Sequence, residues 1–461
     1  MRTLTIDRTA ACFSLVIGLI CIPILGACQD QKTPPIAPNI QKAPLPDRIE
    51  VTNGGPARPI TADEAVRIAL KTQPTLDTAR SAIAAASGRT EQVRSGLNPV
   101  LAGSVAYTHA NVLAGNSSVG TSVSTSPGYQ ASTTLRQLLF DFEHTRNLVR
   151  QASLLEKVAS TGLTRAENDL ALQVKQAFYT YVQSERLVGV NEANVQNQQE
   201  HVALADARLK SGLGLPSDVV RAQTAVAEAV LNLNLAQSTA STVRINLATF
   251  MGIDPRTPLT ATDSEEPSEV SSDISALVAR GLKQRPEILQ AQAGLDSTTY
   301  GIKAAKSTDS PSIGASIGLS SRGLDFPPRN DLFAVGATVT WTPFDGGLTR
   351  GKMRESQANS DAARSQLATA KLIVTQDISQ SYLSVKTSEQ RLVTADAEIA
   401  NATESVRLAE GRYRSGLGTF IDVLDAQTSL FTAKSNRVNA LSAISQARAA
   451  LRRAIGSPAR N

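Results

Sequence analysis

Aromatic side chains are scarce in this chain. Phe, Tyr and Trp make up 4% of its 461 residues, with a single Trp. Aromatics supply much of the buried area of ordinary cores, so their rarity argues against the three conventional domains that this length suggests. Cysteine is nearly absent: the three are Cys12, Cys21 and Cys28, which excludes a disulfide framework or a cysteine metal site in the remainder. No stretch after these holds 18 consecutive apolar residues, so no transmembrane helix follows. His109, His144 and His201 are scattered, without a partner at i+4, and are not expected to bind metal. No nucleophile elbow, phosphate-binding loop or HExxH occurs, which points away from an enzyme and from any cofactor. The formal charge of +5 is mild, with acidic residues spread throughout, and no basic face suggests nucleic acid.

Ala, Ser, Gln, Leu and Val crowd the chain instead, a mixture suited to long, thin helical packings. The N-terminus carries Arg2 and Arg8, then an apolar run from Ala10 to Leu25, then Leu25-Gly26-Ala27-Cys28. This resembles the lipobox of bacterial lipoproteins. It predicts a signal peptide over residues 1–27 and lipid on Cys28, the first residue after the cut. Residues 28–60 are polar and rich in proline, including Pro34, Pro35, Pro38, Pro44 and Pro46, and read as an extended tether.

The rest is one unit written twice. Phe140-Asp141 recurs as Phe344-Asp345, Ser211-Gly212-Leu213-Gly214 as Ser415-Gly416-Leu417-Gly418, and Ala222-Gln223-Thr224 as Ala426-Gln427-Thr428, all at an offset of 204 residues. Pro74 and Pro99 match Pro286 and Pro311 at an offset of 212. The extra eight residues therefore fall between Pro99 and Phe140, where a variable loop is expected. Repeats over residues 61–256 and 273–458 follow, joined by a linker over 257–272 whose Glu265 and Glu266 read as solvent-facing.

Each repeat holds one hairpin. Ile313, Ala315, Ile317 and Leu319 alternate with small residues, as do Phe333, Val335, Ala337, Val339 and Trp341, which is the period of a strand with one apolar face. Strands are expected at about Leu101–Ala110, Tyr129–Leu139, Ser312–Ser320 and Leu332–Trp341. Long helices follow, about Phe142 to Lys210 and Gly346 to Arg414, free of proline and reaching about 100 Å at about 1.5 Å per residue. Ile378, Tyr382, Val385, Leu392 and Ile399 keep heptad spacing, and their counterparts are Val174, Phe178, Tyr181, Val188 and Val195, a coiled-coil-like seam in both repeats. Each long helix ends in a tight reversal and a helix of about 35 residues. Shorter helices at about Pro74 to Gly96 and Pro286 to Lys306 precede the hairpins. Four strands cannot close a barrel, which needs about eight, and open edges are very unfavourable in a membrane. Several copies must pool strands, and the chain alone permits a dimer or a trimer.

The order of elements, with Arg412-Tyr413-Arg414-Ser415-Gly416 followed by Asp422-Val423-Leu424-Asp425-Ala426-Gln427, and with Thr342-Pro343-Phe344-Asp345-Gly346-Gly347, resembles the TolC-like outer-membrane efflux protein family. The lipid-anchored start is similar to its NodT-like branch, the outer-membrane factors paired with resistance-nodulation-division pumps. The resemblance implies a mainly α fold with a small β part: a long α-helical coiled-coil barrel and a transmembrane β-barrel shared between subunits of a homotrimer. It implies a passive exit duct for small molecules or drugs, lipid-anchored in the bacterial outer membrane, extending into the periplasm and fed by an inner-membrane pump through a periplasmic adaptor (membrane fusion) protein. It places a gate at Asp218, Asp422 and Asp425, and adaptor-docking tips at Arg208, Gly212, Gly214, Arg412, Gly416 and Gly418. In one well-known member a basic residue near the second turn helps to hold the closed state; here Gly418 stands at the matching place, leaving Arg221 as the candidate substitute. Capping of the next helix is the plainer reading of Asp218 and Asp422. The competing functions are the outer-membrane part of a type I protein-secretion system and a non-conducting periplasmic coiled-coil lipoprotein.

Overall fold

Thr61 and Asp273 start the two repeats alike. Each is extended and accepts a backbone N–H through its side chain, Thr61 from Glu64 and Asp273 from Ser275, which satisfies free donors in a first helical turn. They open two 11-residue helices, α1 (Ala62–Thr72) and α5 (Ile274–Gln284). Pro74 and Pro286 then occupy the first positions of α2 (Pro74–Ser95) and α6 (Pro286–Lys306), where a missing N–H costs nothing. The computed structural model describes residues 57–114, 122–262, 265–266 and 273–457. The predicted signal peptide and Cys28 lie outside the described residues.

Strands β2 (Val100–Ala114), β3 (Ser122–Phe140), β5 (Ser312–Gly323) and β6 (Asn330–Thr340) form one sheet in the order β2-β3-β5-β6, all antiparallel. The first three strands outrun the expected ranges, while β6 starts two residues early and ends one residue before Trp341. The first hairpin's strands have 15 and 19 residues and the second's 12 and 11. The length difference between the repeats thus sits in the strands, not in a variable loop. The register gathers Leu101, Val105, Tyr107, Tyr129, Leu135, Ile317, Leu319, Phe333, Val335 and Val339 on one face. Val335 and Val339 are 66% and 65% exposed.

The recurring Phe-Asp pair joins sheet to helix. Asp141 accepts the Thr145 N–H at 2.8 Å, and Asp345 accepts those of Thr349 at 2.6 Å and Gly347 at 2.9 Å. Bonds from Thr349 and Gly347 hold the Asp345 carboxyl down at about 2. These aspartates begin α3 (His144–Lys210) and α7 (Leu348–Arg414), 67 residues each, about 100 Å long at about 1.5 Å per residue. The chain turns through two left-handed residues on the way, Gly346 and Gly347 in the second repeat but Phe142 and Glu143 in the first.

Past their reversals the chain returns as α4 (Pro216–Phe250) and α8 (Phe420–Ala454), 35 residues each. Helix α3 packs against α1, α2, α4, α6 and α8, while α7 meets α5, α6 and α8. The seam follows this coverage. Val174, Phe178, Tyr181, Val188 and Val195 are all buried, whereas in α7 only Ile378 and Val385 are, and Tyr382, Leu392 and Ile399 stay half-buried.

Both segments expected to be connectors carry structure. Strand β1 (Arg58–Ile60) pairs in parallel with β4 (Leu259–Ala261). Glu265 is exposed, but Glu266 is buried, which corrects its solvent-facing assignment. Its carboxylate accepts from Lys175 at 2.7 Å, Tyr179 Oη at 2.7 Å and Arg452 at 2.9 Å. A buried carboxylate persists only with such partners. Burial and the Glu266 charge push the Tyr179 hydroxyl up. The neighbouring Arg453 grips Asp169, Glu287 and Asp377, so α8 is tied by ion pairs to both repeats.

Candidate functional site

Each long helix ends on the same device, at the end remote from the sheet. Gly212 and Gly416 take left-handed conformations with φ of 75° and 77°. The Leu213 N–H reaches the Arg208 carbonyl at 2.9 Å and that of Gly212 the Leu209 carbonyl at 3.0 Å. In the second repeat Leu417 bonds to Arg412 and Gly416 to Tyr413. This is a Schellman termination. Leu213 and Leu417 point away from it, 74% and 76% exposed. The second glycine of each pair serves close approach instead. A Cβ on Gly214 would stand 2.8 Å from the Leu209 nitrogen, and one on Gly418 would stand 3.0 Å from the Arg412 Cβ.

The three aspartates differ in their surroundings. Asp422 closes a capping box with Thr419, accepting its N–H at 3.0 Å while the Thr419 hydroxyl accepts the Asp422 N–H at 3.3 Å. The bonds with Thr419 hold the Asp422 carboxyl below its ordinary value, and the Arg412 charge adds to this. Asp425 is exposed one turn on. Asp218 faces the other reversal and accepts the Tyr413 hydroxyl at 3.3 Å.

Tyr413 centres a latch between the reversals that no sequence feature above identified. It is 3% exposed. The Arg208 guanidinium lies 4.5 Å from its ring centroid, a cation–π contact, and donates to its carbonyl. Phe420 packs on its other side with ring centroids 5.4 Å apart. Burial and Asp218 push the Tyr413 hydroxyl up, so it is a firm donor. The available signal was an asymmetry: Leu209 occupies the matching position of the first repeat. Arg208, grouped above with the docking residues, is turned inward to Tyr413, whereas Arg412 is exposed.

The sequence profile of the outer membrane efflux protein family matches residues 65–253 and 277–457, the two repeats. The chain belongs to the outer membrane efflux protein family. It is 26% identical over 300 residues to the outer membrane efflux protein BepC of Brucella suis, a match covering 64% of this chain and 65% of BepC, just under two thirds of that relative. It is 27% identical over 358 residues to the toluene efflux pump outer membrane protein TtgC of Pseudomonas putida, covering 74% and 71%. Its fold matches the outer membrane protein VceC of Vibrio cholerae with a TM-score of 0.74 at 20% identity, over 86% of this chain and 96% of VceC.

In this outer membrane efflux protein a Cβ at Gly418 would press tightly on the Arg412 side chain. Arg208 supplies the positive charge at the latch, while Arg221, the candidate substitute, is exposed. His201, two turns before Arg208, is 5% exposed, and burial pushes its ring down toward the neutral form. The described residues hold no cluster of His, Cys, Asp and Glu that could bind a metal.

Proposed function

We propose that this protein is the outer-membrane channel of a tripartite efflux system: a homotrimeric, passive exit duct for small molecules. The observation that carries the reading is a pair of aromatic girdles bounding the apolar sheet face. Tyr107, Tyr129 and Phe326 cluster at one end. Phe140, Phe142, Trp341 and Phe344 stand exposed at the helical end. From Tyr129 to Phe140 the strand rises about 36 Å at about 3.3 Å per residue. At a tilt of about 40° this spans about 28 Å, close to the apolar band of an outer-membrane barrel.

Three copies contribute twelve strands to a closed barrel, four from each, and leave no edge in lipid. The helices carry a matching signature. Leu372, Leu383 and Leu408 of α7 are exposed and project within about 20° of one another. Val220, Leu231 and Leu235 of α4 are exposed too, within about 60°. Each stripe is covered by the next copy of the chain. The paired acids Asp422 and Asp425 then ring the periplasmic opening, with Asp218 and Tyr413 holding it narrow. The apical Leu213 and Leu417, with Gly212, Gly214, Arg412, Gly416 and Gly418, dock a periplasmic adaptor. An inner-membrane pump of the resistance-nodulation-division type supplies the energy, and lipid on Cys28 adds an anchor. Kinship with a toluene efflux pump component supports small-molecule cargo.

Mass photometry of the protein extracted in mild detergent tests the assembly. Trimers are expected for the wild type, and a shift toward monomer for Leu372→Lys with Leu383→Lys. A monomeric wild type would contradict the reading.

A further inference from the structure

The face of the sheet opposite the apolar one is built mostly of small residues, with Leu138 and Leu332 among the exceptions. Its cross-strand rows run Ala102-Thr134-Gly318-Ala334 and Val100-Arg136-Ser316-Gly336, with Leu138-Gly314-Thr338 as the next row toward the helices. Two charged side chains stand on this face, Arg136 and Arg322, the second between Gln130 and Asn330. The strands' one acidic residue, Asp331, pairs with Ser321 on the other face. Arg136 and Arg322 are both exposed, and neither forms an ion pair among the described residues. Asp141 and Asp345, nearest the helical end, direct their carboxylates to the first turns of α3 and α7. The strands of this face therefore present charge of one sign only, on long side chains.

We propose that Arg136, repeated around the barrel, is a binding ring for anionic solutes on the exit path, with Arg322 forming a second ring nearer the outside. The inference rests on the trimeric duct. Guanidinium groups bind carboxylate, phosphate and sulfonate in bidentate fashion, and a narrow lumen walled by lipid-facing strands focuses their field. The duct thus carries opposite charges in series: acidic at the helical tips, where Asp422 and Asp425 stand, and basic within the barrel. A solute with an anionic group is drawn out of the helical section toward Arg136 and passed to Arg322. Toward the second hairpin Arg136 has only Ser316 and Gly336 in its row, which leaves its long side chain free to reach the axis.

Single-channel recording in planar bilayers tests this, with inositol hexakisphosphate added on the barrel side. The polyanion should block wild-type channels. Arg136→Gln should weaken the block by about tenfold or more, Arg136→Lys should preserve it, and Asp422→Asn with Asp425→Asn should leave it unchanged. Arg136→Cys keeps the test independent of folding, because inserted channels can be modified in place. A trimethylammonium thiosulfonate reagent should restore block and a sulfonate reagent should abolish it. Equal block in wild type and Arg136→Gln, or block indifferent to the reagent's sign, would overturn the proposal while leaving the duct intact. A wild type without conductance steps would overturn both.

Discussion

Glu143 holds a φ of 64° at the junction where the second repeat has Gly347. A left-handed residue with a side chain is strained by about 1–2 kcal/mol, and Glu143's compensation is an exposed 3.7 Å pairing with Arg150, a contact worth little. Glu143→Gly should therefore stabilise the protein by about 1 kcal/mol, read as a higher melting temperature in detergent. A lower one would mean that the Arg150 contact outweighs the strain. At the tip the residue that matters is Tyr413. Tyr413→Phe keeps the packing against Arg208 and Phe420 but removes the bond to Asp218. The expected outcome is a larger mean conductance with unchanged trimer content, and Asp218→Asn should move conductance the same way. Conductance unaltered in both variants would assign Tyr413 to packing alone.

Among the elements, the long helices were legible because nothing interrupts them and their apolar spacing is regular over many turns. The hairpins were legible where small and apolar residues alternate, as from Ser312 onward. Helices α1 and α5 escaped notice because each is 11 residues long and runs straight into a proline-started helix. Strands of three residues such as β1 and β4 carry too little pattern to read. Glu266 looked solvent-facing because its partners Lys175 and Arg452 stand 91 and 186 residues away. At the tip, the glycines and the Asp218/Asp422 pair were visible as repeats, whereas the latching role of Tyr413 was hidden because its counterpart is Leu209. The sheet assignment has its own test. Spin labels at Val335 and Val339 should report lipid, and labels at Gly336 and Thr338 water. Uniform accessibility at the four positions would mean that the sheet does not face a membrane.

At the scale of the whole assembly, the two repeats supply what one cannot. One hairpin and one long helix leave both apolar faces bare, while in the trimer proposed above two hairpins and two long helices from each copy would cover them. Asp422 and Asp425, three residues apart on α8, are exposed on one side of the helix at the tips, where the proposed duct has its mouth. Like charges gathered around a narrow opening attract cations. Recording of the purified protein in planar bilayers under asymmetric KCl, with and without a trivalent cation, tests the account most directly. Discrete, cation-selective steps blocked by the trivalent ion are expected from the wild type. Asp422→Asn with Asp425→Asn should weaken both selectivity and block while the trimer persists. No steps from the wild type, or an unchanged reversal potential together with unchanged block in the double variant, would contradict a duct gated at these tips.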